Sequence, residues 1–305
     1  MVFSSSSQVI LISPIIPNIA EALNEPESKL GWLVSSYAIL LGIFALLTGP
    51  ISDKFGRRKI LLAGSFTMAV ALYAHVLAQS FWALLLVRAF AGAAGGMLSG
   101  AAVAYVGDYF PYERRGWANG WVMSGVAFGQ ILAIPMGKLM AASWGFQWPF
   151  LVFAITMTLA VLFIWRYLPQ PDVAFTKERL TFRTALANYS RLLQNREVQA
   201  AAASFFLMFS SIGMYLVFLP TWLEDEIGLI DRDIALMFLV GGIMNVATGP
   251  LAGRLSDRIG RKPLIISSCA GLSIIMVLTT YVVEVHWVVY LWFAYDEIQL
   301  TLRQY

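Results

Sequence analysis

GPISDKFGRR at Gly49–Arg58 and GRLSDRIGRK at Gly253–Lys262 are nearly the same ten residues, 253 − 49 = 204 positions apart. Gly49 matches Gly253, Ser52 matches Ser256, Asp53 matches Asp257, Gly56 matches Gly260 and Arg57 matches Arg261. A TGP triplet lies just upstream of each aspartate, at Thr48 and Thr248. A loop that only sets membrane orientation needs Lys and Arg. It needs neither an acid nor two glycines in fixed register. The chain therefore reads as a parallel repeat of two half-domains, an architecture of transporters.

The composition around these segments agrees. The chain has 305 residues, 59% of them hydrophobic and 13% charged. A soluble domain carries about 25% charged residues. A water-soluble fold of this composition would expose large apolar patches, so lipid is the better solvent. A spanning helix needs about 20 mostly apolar residues. Such runs are expected at 2–23, 30–50, 60–78, 81–105, 117–141 and 148–168, and again at 200–222, 234–250 and 264–283. A further apolar run, 285–294, is only about 15 Å long as a helix and ends in the polar YDEIQLTLRQY. The sequence thus predicts nine complete spans and a stub, and the tail reads as a frameshift product or an early stop. The start of the chain lacks a basic region and reads as the first span, short of a few upstream residues, rather than a signal peptide.

Between the two sets, Pro169–Gln199 is polar. Leu180, Phe182, Leu186, Tyr189 and Leu193 recur at roughly helical spacing among basic residues. An amphipathic segment on the membrane surface fits, as does a solvated linker.

Cations mark alternate loops: Lys54, Arg57, Arg58 and Lys59; Arg114 and Arg115; Lys177 to Arg196; and Arg254, Arg258, Arg261 and Lys262. The opposite loops carry acids, among them Glu25, Glu27, Glu224, Asp225 and Asp231. The positive-inside rule then places the N-terminus in the cytoplasm.

G-x-x-x-D-[RK]-x-G-R-[RK] between the second and third helices resembles the signature loop of the major facilitator superfamily. Here it is Gly49, Asp53, Lys54, Gly56, Arg57 and Arg58, repeated as Gly253, Asp257, Arg258, Gly260, Arg261 and Lys262. VGDYFPYERRG at Val106–Gly116 resembles the family's loop between helices four and five, and FQWPF near Trp148 its start of helix six. Gly120, Gly125, Gly129, Pro135 and Gly137 resemble the glycine-proline motif of antiporters, with Gln130 where that motif has proline.

The resemblance implies an all-α membrane protein of two helical bundles. Residues 1–168 are the six-helix N-half, 169–199 a cytoplasmic linker and 200–305 an incomplete C-half, about 9–10 of 12 helices in all. It also implies that each signature loop packs on a helix of the other half at the cytoplasmic gate. The eleventh helix, expected to face Asp53, is among those missing.

Arg88, inside the fourth span and followed by Gly92 and Gly95, is a costly and usually functional charge. The resemblance places it near proton coupling or substrate; pairing with backbone carbonyls is the structural alternative. Gln8, Tyr37, Gln130, Tyr215 and Asn245 are polar side chains that could line a central site or bond between helices. The lone Cys269 and the separated His75 and His286 make no metal pattern, and both histidines read as interface residues. No enzyme motif is present.

The expected function is alternating-access transport of a small solute, efflux driven by a proton gradient, with no cofactor. Uptake of a sugar or other small organic solute, and a non-transporting remnant of a truncated gene, are the alternatives. Lipid and a small molecule are the expected partners, nucleic acid is not, and a monomer in the bacterial inner membrane is implied. The absent buried carboxylate favours neutral or anionic substrates, with Arg88 as partner to an anion.

Overall fold

The computed structural model describes residues 1–172, 189–225 and 231–282, with the backbone alone over 212–225, 231–238 and 275–282 and at scattered positions in α1, α5, α7 and α9, Gln130 among them. The helices among these residues are α1 (Val2–Leu23), α2 (Glu27–Phe55), α3 (Arg57–Leu77), α4 (Phe81–Tyr109), α5 (Arg115–Trp144) and α6 (Gln147–Tyr167). After the linker come α7 (Arg196–Asp225), α8 (Asp231–Ile259) and α9 (Arg261–Val282). A single 3-10 turn, Tyr112–Arg114, leads into α5. The apolar run 285–294 and most of the linker, including Leu180, Phe182 and Leu186, lie outside the described residues.

Every expected span is a helix, and all but α1 run past the sequence estimate at one end or both. The difference matters most at α2 and α8, which were expected to stop at Pro50 and Pro250. Both continue for turns beyond the proline. The two repeated segments are therefore mainly helix ends, not loops. Gly49 and Asp53 belong to α2, Arg57 and Arg58 to the first turn of α3. Gly253 and Asp257 belong to α8, and Arg261 opens α9. The break between each pair of helices is one residue, Gly56 or Gly260, each with φ of 95°. Only glycine adopts that backbone without strain. α7 begins at Arg196, four residues before the expected span.

Within the N-half, α2 packs on α4, α3 on α4 and α6, and α1 on α5. Lipid as solvent turns the usual pattern inside out. Trp32, Ile39, Ile43 and Leu46 of α2, and Ile155, Leu159 and Phe163 of α6, are exposed. Ser4, Ser7, Gln8, Ser65, His75 and Arg88 are buried between helices. Among the described residues, α2, α3, α4 and α6 are each long and apolar enough to cross a membrane. In the second half, α8 packs chiefly on α5, and much less on its chain neighbours α7 and α9.

Small residues permit the closest approaches. A Cβ on Gly92 would stand 2.9 Å from the Tyr37 Cα, and one on Gly96 would stand 2.7 Å from the Ala45 nitrogen. Both obstacles are backbone and cannot swing away. Gly42, by contrast, has nothing within 4 Å. Gly96→Val is expected to lower stability by about 3 kcal/mol, and Gly42→Ala to leave it unchanged. Thermal unfolding of the solubilised protein measures both.

Candidate functional site: a seam between the halves and a buried arginine

The first turn of α5 has a chemical need that its own sequence does not meet. A helix start leaves backbone N–H groups without partners. The N-cap position is Arg114, whose side chain makes no capping bond. Asp257, from the end of α8, supplies the acceptor. Its Oδ1 takes the Gly116 N–H at 2.9 Å and its Oδ2 the Trp117 N–H at 2.9 Å. A carboxylate there also meets the positive end of the helix dipole. The repeat in the C-half thus caps a helix of the N-half.

The glycines explain how Asp257 gets so close. A Cβ on Gly116 would stand 2.5 Å from the Gly253 carbonyl oxygen, and one on Gly120 would stand 2.6 Å from that of Gly249. Further along, Gly242 of α8 closes on the Ile131 side chain. The seam therefore runs from the first turn of α5 to its middle. Two cations reinforce its end: Arg254 lies over the Trp117 ring at 6.0 Å and Arg261 over the Tyr112 ring at 5.1 Å.

The N-half copy is wired differently. Asp53 is half exposed and pairs with Arg57 of the next helix. Arg57 turns its Nε to Asp108 Oδ2, at 2.6 Å, at the end of α4. Arg58 donates to the Trp165 carbonyl at 2.6 Å, and its backbone N–H to Gln170 at 3.2 Å. Residues 189–194 of the linker are helical. There the Tyr189 hydroxyl donates to the Leu46 carbonyl and lies beside Gly49. Burial, and then the Asp53 charge, push the Tyr189 phenol up, which keeps it a donor.

Arg88 is fully buried at the centre of a second cluster. Its Nε donates to the Leu33 carbonyl at 3.4 Å, and one terminal nitrogen donates to the Gln8 carbonyl at 3.2 Å and Gln8 Oε1 at 3.4 Å. The guanidinium lies 4.5 Å from the centre of the Tyr37 ring. Arg88 thereby ties α4 to α1 and α2, and no carboxylate pairs with it among the described residues. The Gln8 amide nitrogen has no partner among these residues.

Of the expected cavity residues, Gln8 and Tyr37 come together with Arg88. Asn245 is partly buried on α8. Gln130 and Tyr215 fall in α5 and α7, and their side chains lie outside the described residues. His75, in the last turn of α3, is buried between helices, where Nδ1 donates to the Ala71 carbonyl at 2.7 Å and the ring stacks on Phe150 at 4.4 Å. His286 lies outside the described residues.

Sequence reasoning missed Asp108 and Ser124, and it singled out Tyr189 only for its place in the amphipathic segment. Asp108 sits inside a motif already quoted. The other two bond to carbonyls that Pro250 and Pro50 expose, so the prolines were the available signal.

A helical bundle wrapped outward in apolar side chains, with a second-half helix capping a first-half helix, is the build of a membrane transporter of two bundles. Comparison with known proteins agrees. The sequence profile of the Major Facilitator Superfamily matches residues 1–296, and the chain belongs to that family. It is 26% identical over 281 residues to the uncharacterised MFS-type transporter YwfA of Bacillus subtilis, covering 92% of this chain and 68% of that protein. It is 28% identical over 299 residues to the multidrug resistance protein MdtG of Proteus mirabilis, covering 93% of this chain and 72% of MdtG. Among solved structures, the proton:xylose symporter XylE superposes with a TM-score of 0.75 at 19% identity, covering 99% of this chain and 77% of XylE. The human organic anion transporter MFSD10 superposes with a TM-score of 0.73 at 19% identity, covering 99% and 81%. The chain is an integral membrane protein of the transporter class, not an enzyme.

Asp257→Asn keeps the side chain's size but removes the charge and one acceptor. It is expected to cost about 2 kcal/mol at the seam, so that the Gly116 and Trp117 amides exchange with deuterium roughly 30-fold faster. Asp53→Asn is expected to leave those amides unchanged.

Proposed function

We propose that this transporter exports a small organic solute in exchange for protons, by alternating access. One observation carries the mechanism: the Asp257 carboxylate holds two amides of the opposite half. Such a bond forms when two bundles meet at one end and must break when they part there. A contact of this kind biases a two-state equilibrium without being part of the substrate site.

Export is supported by the name of the MdtG relatives and by the glycine pattern of α5. In this reading the seam lies at the cytoplasmic end, since Lys54, Arg57, Arg115, Arg258 and Lys262 gather there and the positive-inside rule assigns that end. The N-terminus is then cytoplasmic, and the protein works as a monomer in a bacterial inner membrane, driven by the proton gradient with no cofactor. The two bundles are 1–168 and 200–305, joined by 169–199.

Substrate selectivity follows from charge. Arg88 is a buried cation whose described partners are neutral. A second cation nearby would be repelled in so dry a site. Neutral and anionic solutes are therefore preferred to cationic ones, with Gln8, Tyr37, Gln130, Tyr215 and Asn245 as candidates to line their path.

Inverted membrane vesicles with an acidic lumen test the coupling. Labelled substrate is expected to accumulate inside and to leave when the gradient is collapsed. Movement that ignores the gradient defeats proton coupling, and accumulation on the opposite side points to uptake. Counterflow with anionic, neutral and cationic compounds of one shape tests the charge rule: cations are expected to exchange at least about tenfold more slowly. Equal rates would rule out Arg88 as the selector.

A further inference from the structure

A proline inside a helix has no N–H for the carbonyl four residues earlier. Pro250 thus leaves the Val246 carbonyl of α8 without a helical partner, and Pro50 does the same to Leu46 of α2. In lipid, such a carbonyl must be met by another group. In both helices it is met by a hydroxyl from a different element. Tyr189 of the linker donates to Leu46, and Ser124 of α5 donates to Val246 at 3.1 Å. The two triplets are 200 residues apart and the aspartates 204, so the second proline sits one helical turn deeper from its acid.

Ser124 is the more consequential of the two, because its bond crosses between the halves. It is 4% exposed and lies two turns along the seam from Gly116. Its hydroxyl is also 2.8 Å from the Gly120 carbonyl of its own helix. That carbonyl, in a regular helix, already accepts the Ser124 backbone N–H. The Val246 carbonyl has no such donor. One proton therefore serves two acceptors, and only the one on α8 depends on it.

We propose that Pro250 and Ser124 form a latch of the transport cycle: the proline opens an acceptor on α8, and the serine of α5 fills it only while the two halves are together. When the seam parts, the carbonyl must be taken over by water entering the cleft. Ser124 is a positioning residue in this scheme. It touches no substrate, and it biases the closed arrangement of this end. The inference rests on reading the seam as a contact that opens during transport. The test reads the seam itself, so it can fail while transport stands.

The test is a double-mutant cycle followed by amide hydrogen exchange on the whole protein in lipid nanodiscs, over peptides 116–124 and 246–257. Ser124→Ala is expected to speed exchange in both peptides by roughly fivefold, the worth of one net hydrogen bond. Ser124→Thr keeps the hydroxyl and should match the parent. Pro250→Ala returns an N–H to Val246, so in that background Ser124→Ala should change exchange by less than about twofold. An equal effect of Ser124→Ala with and without Pro250 would show mere packing and overturn the proposal. So would no effect in the parent. If Pro250→Ala fails to fold, Ser124→Cys decides. A thiol is a weak donor, so it should fall between Ser and Ala, and a result identical to Thr and Ala alike refutes the latch.

Discussion

Hydrocarbon offers no hydrogen bonds, so each backbone group inside the membrane must find its partner in protein. Much of this structure is a set of answers to that constraint. Long helices satisfy most groups internally. At Pro50 and Pro250, where a proline breaks the pattern, a hydroxyl from another element meets the freed carbonyl of Leu46 or Val246. Where a helix begins without a capping side chain, an acid from the other half arrives, as Asp257 does at α5. Arg88 is the converse case. Its charge is fully buried, and it spreads its donors over carbonyls and an amide oxygen of two neighbouring helices.

The two copies of the repeated segment share a sequence and differ in use. Asp257 reaches across to the opposite half, while Asp53 stays with Arg57, which in turn holds Asp108. Identical chemistry thus serves two ends: one copy fastens the halves to each other, and the other fastens α3 to α4 within a half. The difference comes from what each copy faces, not from the residues themselves. For Asp257 the neighbour is a helix start with free amides, and for Asp53 it is a guanidinium.

Much of the fold was legible because membrane helices announce themselves through length and hydrophobicity. The first span was located to the residue, and the repeat named the family. The helix ends were harder. Pro50 and Pro250 look like stops, yet α2 and α8 pass through them, because a packed neighbour can replace the lost bond. The wiring of Asp257 to α5 was foreseen only as a type of contact. Which amides it takes depends on the glycine-lined approach of α8, and that is set by tertiary packing. Likewise Arg88 stood out as a buried charge, but its sharing of Leu33 and Gln8 carbonyls depends on how α1 and α2 lean together. The burial of His75 against Phe150 was not legible either, since it depends on how α3 packs on α6.

The joint between α8 and α9 is a single glycine, as is that between α2 and α3. So short a joint keeps the end of one helix beside the start of the next, while the glycine leaves the angle between them free to change. The two helices of each pair touch little along their lengths. A movement of the end of α8 away from α5 must therefore carry the start of α9 with it, but not its far end. The exposed Arg258 and Lys262 stand on either side of that joint, so whatever holds them acts directly on the end of α8 that bears Asp257.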